Sequence, residues 1–170
     1  MSKLSGIRVI DLSLFLPGPM MTSMLADHGA EIIKIEPPGG DPSRQMEPFE
    51  EGQSVWFRNI NRGKQSVVLD LKQKDNLQKL YGLVKESDIF VEAFRPGVAN
   101  RLEIDYETLS AIDPRIIYCS ISAFGQDGPL AHHPAHDLAV EAFAGFMSVN
   151  DKGDGCLLYT SDAADEEAWG

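Results

Sequence analysis

Basic residues lie next to two predicted strands, and their side chains are those in the chain that most directly suggest ligand chemistry. Arg62 and Lys64 precede a run of β-branched residues. Arg95 follows the apolar run Ile89-Phe90-Val91, and Arg101 lies one helical turn further on. Guanidinium and ammonium groups pair well with phosphate oxygens. These cations therefore predict that the chain binds a phosphorylated ligand.

The same cations also fit a simpler interpretation, in which they interact only with solvent or with neighbouring carboxylates. Arg62 and Lys64 would then be solvated loop charges, and Lys72 an ordinary surface residue. Arg95 and Arg101 have acidic neighbours available as ion-pair partners, namely Glu92, Glu103 and Asp105. Exposed ion pairs of this kind contribute little to stability. Both interpretations remain open on the sequence.

The pair His136-Asp137 is the candidate for proton-transfer chemistry. Histidine titrates near neutrality and can accept a proton from an activated carbon. In the alternative interpretation, His136 caps the helix that follows it or hydrogen bonds to that helix. His132 and His133 lie in the preceding loop and are expected to take no part. Without repeated ligand spacing, we expect no metal site.

Alternating strands and helices are expected to position these residues. The predicted strands are 7–12, 31–35, 66–71, 88–92 and 116–122, and the predicted helices are 20–28, 75–86 and 105–112. Residues 43–60 are predicted to be irregular. This alternation is typical of an α/β fold with an open, mostly parallel, Rossmann-like sheet and helices on both faces. Ligands of such sheets bind beyond the carboxyl ends of the strands.

The composition argues against several classes of protein. The net charge of −11 is the wrong sign for a nucleic-acid or anionic-membrane binder. No apolar run approaches the roughly 20 residues of a membrane span, and the N-terminus lacks a signal-peptide pattern. Cys119 and Cys156 indicate no disulfide framework. We therefore expect a cytoplasmic protein that binds neither nucleic acid nor membrane.

Seven short strings occur in the order and at the spacing of one known family. They are LSGIRVIDLS from Leu4, PGP from Pro17, LADHGAEIIKIEPPGGD from Leu25, NRGKQSVVLDLK from Asn61, VEAFRPGV from Val91, PRIIYCSISAFGQDGP from Pro114 and AHD from Ala135. Over residues 4–155 the chain resembles the class III CoA-transferase (CaiB/BaiF) family, which includes the α-methylacyl-CoA racemases. The resemblance implies an interlocked homodimer with acyl-CoA and a carboxylic acid as substrates, and no tightly bound cofactor.

The resemblance also implies roles for individual residues. It places the thioester near Leu16 and Pro17, adenine and phosphate near 69–72, and the pantetheine and pyrophosphate near 93–95. The expected coenzyme A contacts are Leu16, Pro17, Leu69, Asp70, Leu71, Lys72, Ala93, Phe94, Arg95, Arg101, Pro134 and Ala135, and the expected catalytic positions are His136 and Asp137. Many transferases carry glutamine at the position of Leu16, so leucine there argues against formyl-CoA or oxalate as a substrate.

Three functions remain open on the sequence. A CoA-transferase would use a carboxylate nucleophile on the thioester, and the family places that residue well beyond His136-Asp137. A racemase would use His136 as a base at the α-carbon. A non-catalytic nucleotide-binding domain would carry a glycine fingerprint after the first strand, where this chain has Leu16-Pro17-Gly18-Pro19.

The last residues differ in composition from the rest of the chain. From Cys156 they read CLLYTSDAADEEAWG, which resembles the translation of a transposon-end adapter used in preparing sequencing libraries. We therefore expect residues 156–170 to be non-native and residues 1–155 to be a truncated N-terminal part of the large CoA-binding domain. Asp162 and Asp165 lie in this tail and are not assigned as the nucleophile. Such a truncated chain is expected to be inactive by itself.

Overall fold

A parallel β-sheet organises the part of the chain that the computed structural model describes, residues 2–145. The strands are β1 (Arg8–Asp11), β2 (Glu31–Glu36), β3 (Phe49–Glu50), β4 (Gln53–Ser54), β5 (Lys64–Val68), β6 (Ile89–Glu92) and β7 (Ile117–Ser120). The helices are α1 (Pro17–Asp27), α2 (Val55–Ile60), α3 (Lys74–Val84), α4 (Val98–Arg101), α5 (Tyr106–Ile112) and α6 (Asp137–Phe143). The main sheet has the order β5-β2-β1-β6-β7 with all pairs parallel, which confirms the predicted α/β fold.

Strand order places the ends of β1 and β6 at the centre of the ligand-binding edge. The chain first builds outward from β1 through β2 to β5, and then returns to the other side of β1 with β6 and β7. The direction of winding therefore reverses between β1 and β6. In open α/β sheets, ligands bind in the crevice at this reversal, outside the carboxyl ends of the strands.

Alternate residues of the central strands pack against helices on opposite faces of the sheet. Ile10 and Phe90 belong to a core that includes Leu80 of α3 and Leu109 of α5. On the other face, the buried residues are Val9, Ala30, Ile32 and Val91, which pack against Met21 and Leu25 of α1. Because both faces are covered, these strands appear in the sequence as nearly continuous apolar runs.

The segment predicted to be irregular contains regular structure. Residues 43–60 include most of a 3-10 helix (Pro42–Gln45), the antiparallel hairpin of β3 and β4, and α2. The Ser54 hydroxyl accepts a hydrogen bond from the Phe57 amide and so caps α2. The serine that precedes VWFRNI was the sequence signal for the start of α2. The elements in this segment are too short to show a clear hydrophobic periodicity, so the segment was predicted to be irregular.

Other elements also differ from the sequence predictions. The third predicted strand, 66–71, is β5, which ends at Val68, opposite Glu36, the last residue of β2. Residues 69–71 lie beyond the strand and line a groove. Helix α1 begins at Pro17, earlier than predicted, since proline suits the first helical turn. The four-residue helix α4 was not predicted.

The chain divides into two compact units, Met1–Ser122 and Ala123–Gly170. The described part of the second unit, residues 123–145, contains α6. The aromatic rings of Phe143 and Phe124 pack edge to face, with their centroids 5.4 Å apart. The predicted adapter-like tail, 156–170, lies outside the described residues. Across residues 2–145, no helix combines the length and apolar character needed to cross a membrane.

Gly18 is expected to be intolerant of a side chain, because α1 begins directly against the loop after β1. A Cβ at Gly18 would lie 2.2 Å from the Ser13 Cβ, and the Ser13 hydroxyl is itself hydrogen bonded to buried Asp11. Gly18→Ala should therefore lower the free energy of unfolding by about 1–3 kcal/mol in urea denaturation. Gly82→Ala in α3 is the control, with no atom near its Cβ, and it should stabilise by about 0.5–1 kcal/mol. Equal effects of the two substitutions would contradict the steric argument.

Candidate functional site

A groove of about 160 Å³ lies at the carboxyl edge of the sheet. Its walls come from the segments that follow β1, β2, β5 and β6, together with α4. The lining residues are Leu12, Leu14, Ile35, Glu36, Pro37, Pro38, Leu69, Asp70, Leu71, Lys72, Phe94 and Leu102. The groove is thus mostly apolar, with a small number of charged groups, as is usual for small-molecule sites.

The structure brings some of the predicted contact residues together in this groove. Residues 69–72 and Phe94 line it from two different loops. Ala93 and Arg95 flank Phe94, and Arg101 immediately precedes the lining residue Leu102. Leu16 and Pro17 do not line the groove, although their loop contributes Leu12 and Leu14 to it. Those leucines, the two prolines and Leu102 were not among the predicted contacts, because apolar lining residues have no distinctive sequence signal.

Two arginines beside the groove have no carboxylate partner. Seven arginines lie within residues 2–145, and five of them form ion pairs, namely Arg8, Arg44, Arg58, Arg62 and Arg115. Arg95 and Arg101 are the other two, and both are exposed. The alternative pairing with Glu92, Glu103 or Asp105 is therefore absent from this part of the structure. The exposed Lys72 ammonium also has no ion pair among the described residues. These three cations are available to an anionic ligand.

Arg62 and Lys64, in contrast, do not form a phosphate site, and that sequence prediction is wrong. The Arg62 guanidinium pairs with Asp27 on α1. The Lys64 side chain is only 2% exposed, and its Nζ donates to Asp11 at 3.0 Å, to the Pro19 carbonyl at 2.8 Å and to Asn61 at 2.9 Å. All three ammonium hydrogens are therefore used inside the protein. Burial lowers the pKa of Lys64 from 10.5 to about 8, although Asp11 opposes this change.

A buried carboxylate holds the loop after β1. Asp11 is the last residue of β1 and is fully buried. Its Oδ1 accepts from the Ser13 amide at 2.9 Å, and its Oδ2 accepts from the Thr22 hydroxyl at 2.5 Å. Burial alone would raise the pKa of Asp11, but Lys64, Lys34 and the two hydroxyls together hold it below its usual value. Further along the loop, Phe15 has a φ of 62°, a strained conformation for a bulky residue.

The loop after β6 is held in a similar way. Glu92, the last residue of β6, is 2% exposed, and its Oε2 accepts from the Phe94 amide at 2.6 Å. Gly97 then takes a left-handed φ of 81° at the start of α4. Arg101 then lies in the last turn of α4. The two loops at the winding reversal therefore each begin with a buried acid that accepts an amide two residues later.

Glu36, at the end of β2, lines the groove, and both of its carboxylate oxygens already accept hydrogen bonds from the protein. Its Oε1 accepts from Arg44 at 2.6 Å and from Ser66 at 2.5 Å. Its Oε2 accepts from Arg44 at 2.7 Å and from the Asp41 amide at 2.8 Å. Burial opposes ionisation, yet these hydrogen bonds lower the pKa of Glu36 from 4.5 to about 2.

Glu36→Gln is expected to change the acid sensitivity of the protein. Because its pKa is lowered in the folded state, ionised Glu36 stabilises the fold fully above pH 4.5, and this stabilisation is lost as the pH falls toward about 2. The pKa difference corresponds to about 3 kcal/mol. The wild type should therefore exceed the variant in unfolding free energy at pH 7, and the difference should shrink at pH 3. A difference that is the same at both values, measured by urea denaturation, would contradict the assignment.

The site lacks two features of a dinucleotide-binding site. In such sites the amides at a helix N-terminus bind the pyrophosphate. Two of the first three residues of α1 are Pro17 and Pro19, which have no amide hydrogen to donate. An acid after the second strand usually binds ribose, but the oxygens of Glu36 are occupied. Both observations argue against the nucleotide-binding alternative of the ordinary Rossmann type.

His136 and Asp137 lie in the second unit, which is described by itself. His136 immediately precedes α6, and both residues are exposed. The His136 side chain makes no capping hydrogen bond to α6. The structural role as a helix cap is therefore not observed. Within residues 2–145, no group of three or more His, Cys, Asp or Glu is arranged to hold a metal ion.

Comparison with known proteins places this chain in a family. The family model for CoA-transferase family III matches residues 4–161. The acetyl-CoA:oxalate CoA-transferase of Acetobacter aceti is 48% identical over 151 residues, covering 88% of this chain and 39% of that protein. The succinate–glutarate CoA-transferase of Agrobacterium fabrum is 41% identical over 160 residues, covering 89% of this chain and 40% of that protein.

Solved structures agree with the sequence relatives. A CAIB/BAIF family protein from Brucella suis has a TM-score of 0.86 at 34% identity, covering 96% of this chain and 44% of that one. A hypothetical protein from Mycobacterium tuberculosis has a TM-score of 0.87 at 34% identity, covering 98% and 47%. The chain therefore spans about two fifths of the length of the curated relatives it matches. On the family match and these structures together, the chain belongs to CoA-transferase family III.

Proposed function

We propose that this chain forms the coenzyme A-binding part of a CoA-transferase, an enzyme that moves CoA between an acyl-CoA thioester and a carboxylic acid. One observation carries the proposal: Lys72, Arg95 and Arg101 are exposed cations without carboxylate partners beside an apolar groove. Coenzyme A combines a flat adenine, which suits an apolar wall, with phosphates, which suit such cations. The transferases among the relatives support the same substrate class.

In this proposal, each segment of the site has a separate role. Adenine lies against 69–72, with the Lys72 ammonium near a phosphate. The loop at 93–95 binds the pyrophosphate and the start of the pantetheine, and Arg101 binds a phosphate. Leu16 and Pro17 approach the thioester. Since Glu92 and Asp11 hold the backbone of the two central loops, little ordering remains to be done when the ligand binds.

The proposed reaction uses a carboxylate nucleophile that lies outside the described residues. The carboxylate attacks the thioester carbonyl, the C–S bond breaks, and the CoA thiolate leaves a mixed anhydride on the enzyme. The thiolate then attacks the enzyme's carbonyl of the anhydride, which releases the first acid and leaves an enzyme–CoA thioester. The acceptor acid reverses these steps and departs as the new acyl-CoA. The complete enzyme is proposed to act as a homodimer.

A second candidate function is favoured by the exposed, uncapped His136. An imidazole without a structural hydrogen bond to its helix can act as a base, and a racemase would use it to remove a proton from the α-carbon of an acyl-CoA. Deuterium exchange separates the two functions in the complete enzyme. Incubation with acyl-CoA in deuterated water should leave the α-carbon protonated in a transferase. Exchange in the absence of any acceptor acid would favour the racemase.

The ligand itself is tested with the 170-residue chain. Isothermal titration should show binding of CoA and no binding of NAD, because the α1 N-terminus and Glu36 are unsuited to a dinucleotide. Binding of NAD without CoA would overturn the proposal. In the complete enzyme, acyl exchange should require an acceptor acid, and hydroxylamine should trap the acylated carboxylate. Oxalate is a useful acceptor to include, since the A. aceti relative is named for it whereas Leu16 argues against it.

A further inference from the structure

One buried ammonium group joins two of the loops that form the groove. Lys34 lies on β2, and its side chain is 1% exposed. Its Nζ donates to the Ser13 carbonyl at 2.7 Å and forms an ion pair with the Asp41 carboxylate at 2.9 Å. Ser13 belongs to the loop after β1, residues 12–16, and Asp41 ends the loop after β2, residues 37–41. The buried ammonium group of Lys34 therefore connects these two loops.

Both of these loops contribute walls to the groove. The loop after β1 supplies Leu12 and Leu14, and the loop after β2 supplies Pro37 and Pro38. Ser13, which accepts the lysine hydrogen bond, lies between the two leucines in sequence. The ammonium group therefore contacts both of the loops that carry these walls.

The hydrogen bonds of the Ser13 and Asp41 amides attach each loop to its own strand. The Ser13 amide donates to Asp11 of β1, and the Asp41 amide donates to Glu36 of β2 at 2.8 Å. Lys34 supplies the direct contact between the two loops among the hydrogen bonds and ion pairs of these residues. Because the group is excluded from water, its interactions are stronger than those of a surface lysine.

We infer that Lys34 is a positioning residue for coenzyme A binding, whose ammonium holds residues 12–16 and 37–41 at the spacing that the ligand requires. The identity of the ligand rests on the proposed function. The connection between the loops is independent of it, since it depends only on contacts within the protein.

Lys64 provides a matched comparison. It is buried to a similar extent and also pairs with an aspartate, Asp11, in the same region. Its remaining hydrogen bonds go to Pro19 and Asn61, and none reaches residues 37–41. Removing either ammonium leaves a buried carboxylate without its partner, so both substitutions should destabilise the fold. Only the loss of Lys34 should release the loop after β2.

The test compares Lys34→Met with Lys64→Met in the whole 170-residue chain, at a temperature where both variants are folded. Hydrogen–deuterium exchange is followed at the amides of Gly39, Gly40 and Asp41, and CoA affinity is measured by titration. In Lys34→Met these amides should exchange faster, and the dissociation constant should rise about tenfold. In Lys64→Met the exchange at 39–41 should stay at its wild-type value, because Lys64 makes no hydrogen bond to residues 37–41. Equal exchange at 39–41 in the two variants would overturn the inference.

The two readouts also separate this inference from the proposed function. If wild-type protein fails to bind CoA but Lys34→Met still accelerates exchange at 39–41, the ligand assignment is wrong and the loop connection stands. If Lys34→Met does not fold, Asp41→Asn is used in its place. The side-chain oxygen of the asparagine can still accept the hydrogen bond from the Ser43 backbone amide, while the ion pair with Lys34 is lost. Unchanged exchange and affinity in Asp41→Asn would overturn the inference equally.

Discussion

Arg101→Ala is expected to raise the dissociation constant for CoA by about tenfold to a hundredfold, because a charged hydrogen bond to a phosphate is lost. The reason lies in what surrounds the arginine. Arg101 is exposed at the end of α4 and, like Arg95, has no carboxylate partner in the described part of the chain. The substitution therefore removes a ligand contact without leaving an unpaired acid, and stability should change little.

The matched control for this prediction is Arg58→Ala. Arg58 is another exposed arginine near the end of a short helix, but it pairs with Glu50 of the hairpin at 3.0 Å. Its removal should leave CoA affinity unchanged. Raising the salt concentration should also weaken wild-type binding more than binding to Arg101→Ala, since one fewer ionic contact is screened. If Arg101→Ala and Arg95→Ala both bind CoA as tightly as the wild type, the assignment of these arginines to phosphate binding is wrong.

Asp11→Asn is expected to have the largest effect on stability, a loss of about 3–5 kcal/mol in the free energy of unfolding. Asp11 is fully buried and pairs with Lys64, and the positive charge of Lys34 lies close enough to lower its pKa. An asparagine keeps the shape but leaves two buried ammonium groups opposed by fewer negative charges. Urea denaturation at pH 7 measures the change.

Asp27→Asn is the control for this second prediction. Asp27 also pairs with a cation, Arg62, but both side chains of that pair are about half exposed. Solvent screens such a pair, and its removal should cost about 0–1 kcal/mol. Comparable losses in the two asparagine variants would mean that burial does not determine the strength of these ion pairs.

The apolar residues of the sheet could be predicted from sequence, whereas its charged residues could not. Val9 and Ile10 lie in a short β-branched run, and such runs are typical of strands covered on both faces. Lys34 and Glu36 occupy the polar positions of EIIKIE, and a sequence pattern assigns such positions to solvent. Both are buried, because their partners come from other loops of the chain. Local periodicity carries no information about such distant partners.

The candidate site shows the same division. The segments 69–72 and 93–95 were expected to bind coenzyme A because of the family resemblance. In the structure both follow strands of the parallel sheet, and such segments meet at one edge. Sequence alone could not distinguish Lys64 from Arg101, since each is a cation in a loop-like context with acids nearby. The difference is geometric: the Lys64 ammonium reaches the buried Asp11, and Arg101 is exposed without an ion pair among the described residues.

The winding reversal between β1 and β6 also has a consequence for biosynthesis. The residues that pair these two strands are far apart in the chain, since Val9 lies opposite Ile89. Contacts with such long sequence separation form slowly, because a large loop must close before they are gained. A nascent chain on the ribosome can fold β1, α1 and β2 early, yet it has no complete groove until β6 and α4 have emerged. Ligand binding can therefore stabilise this protein only late in its synthesis.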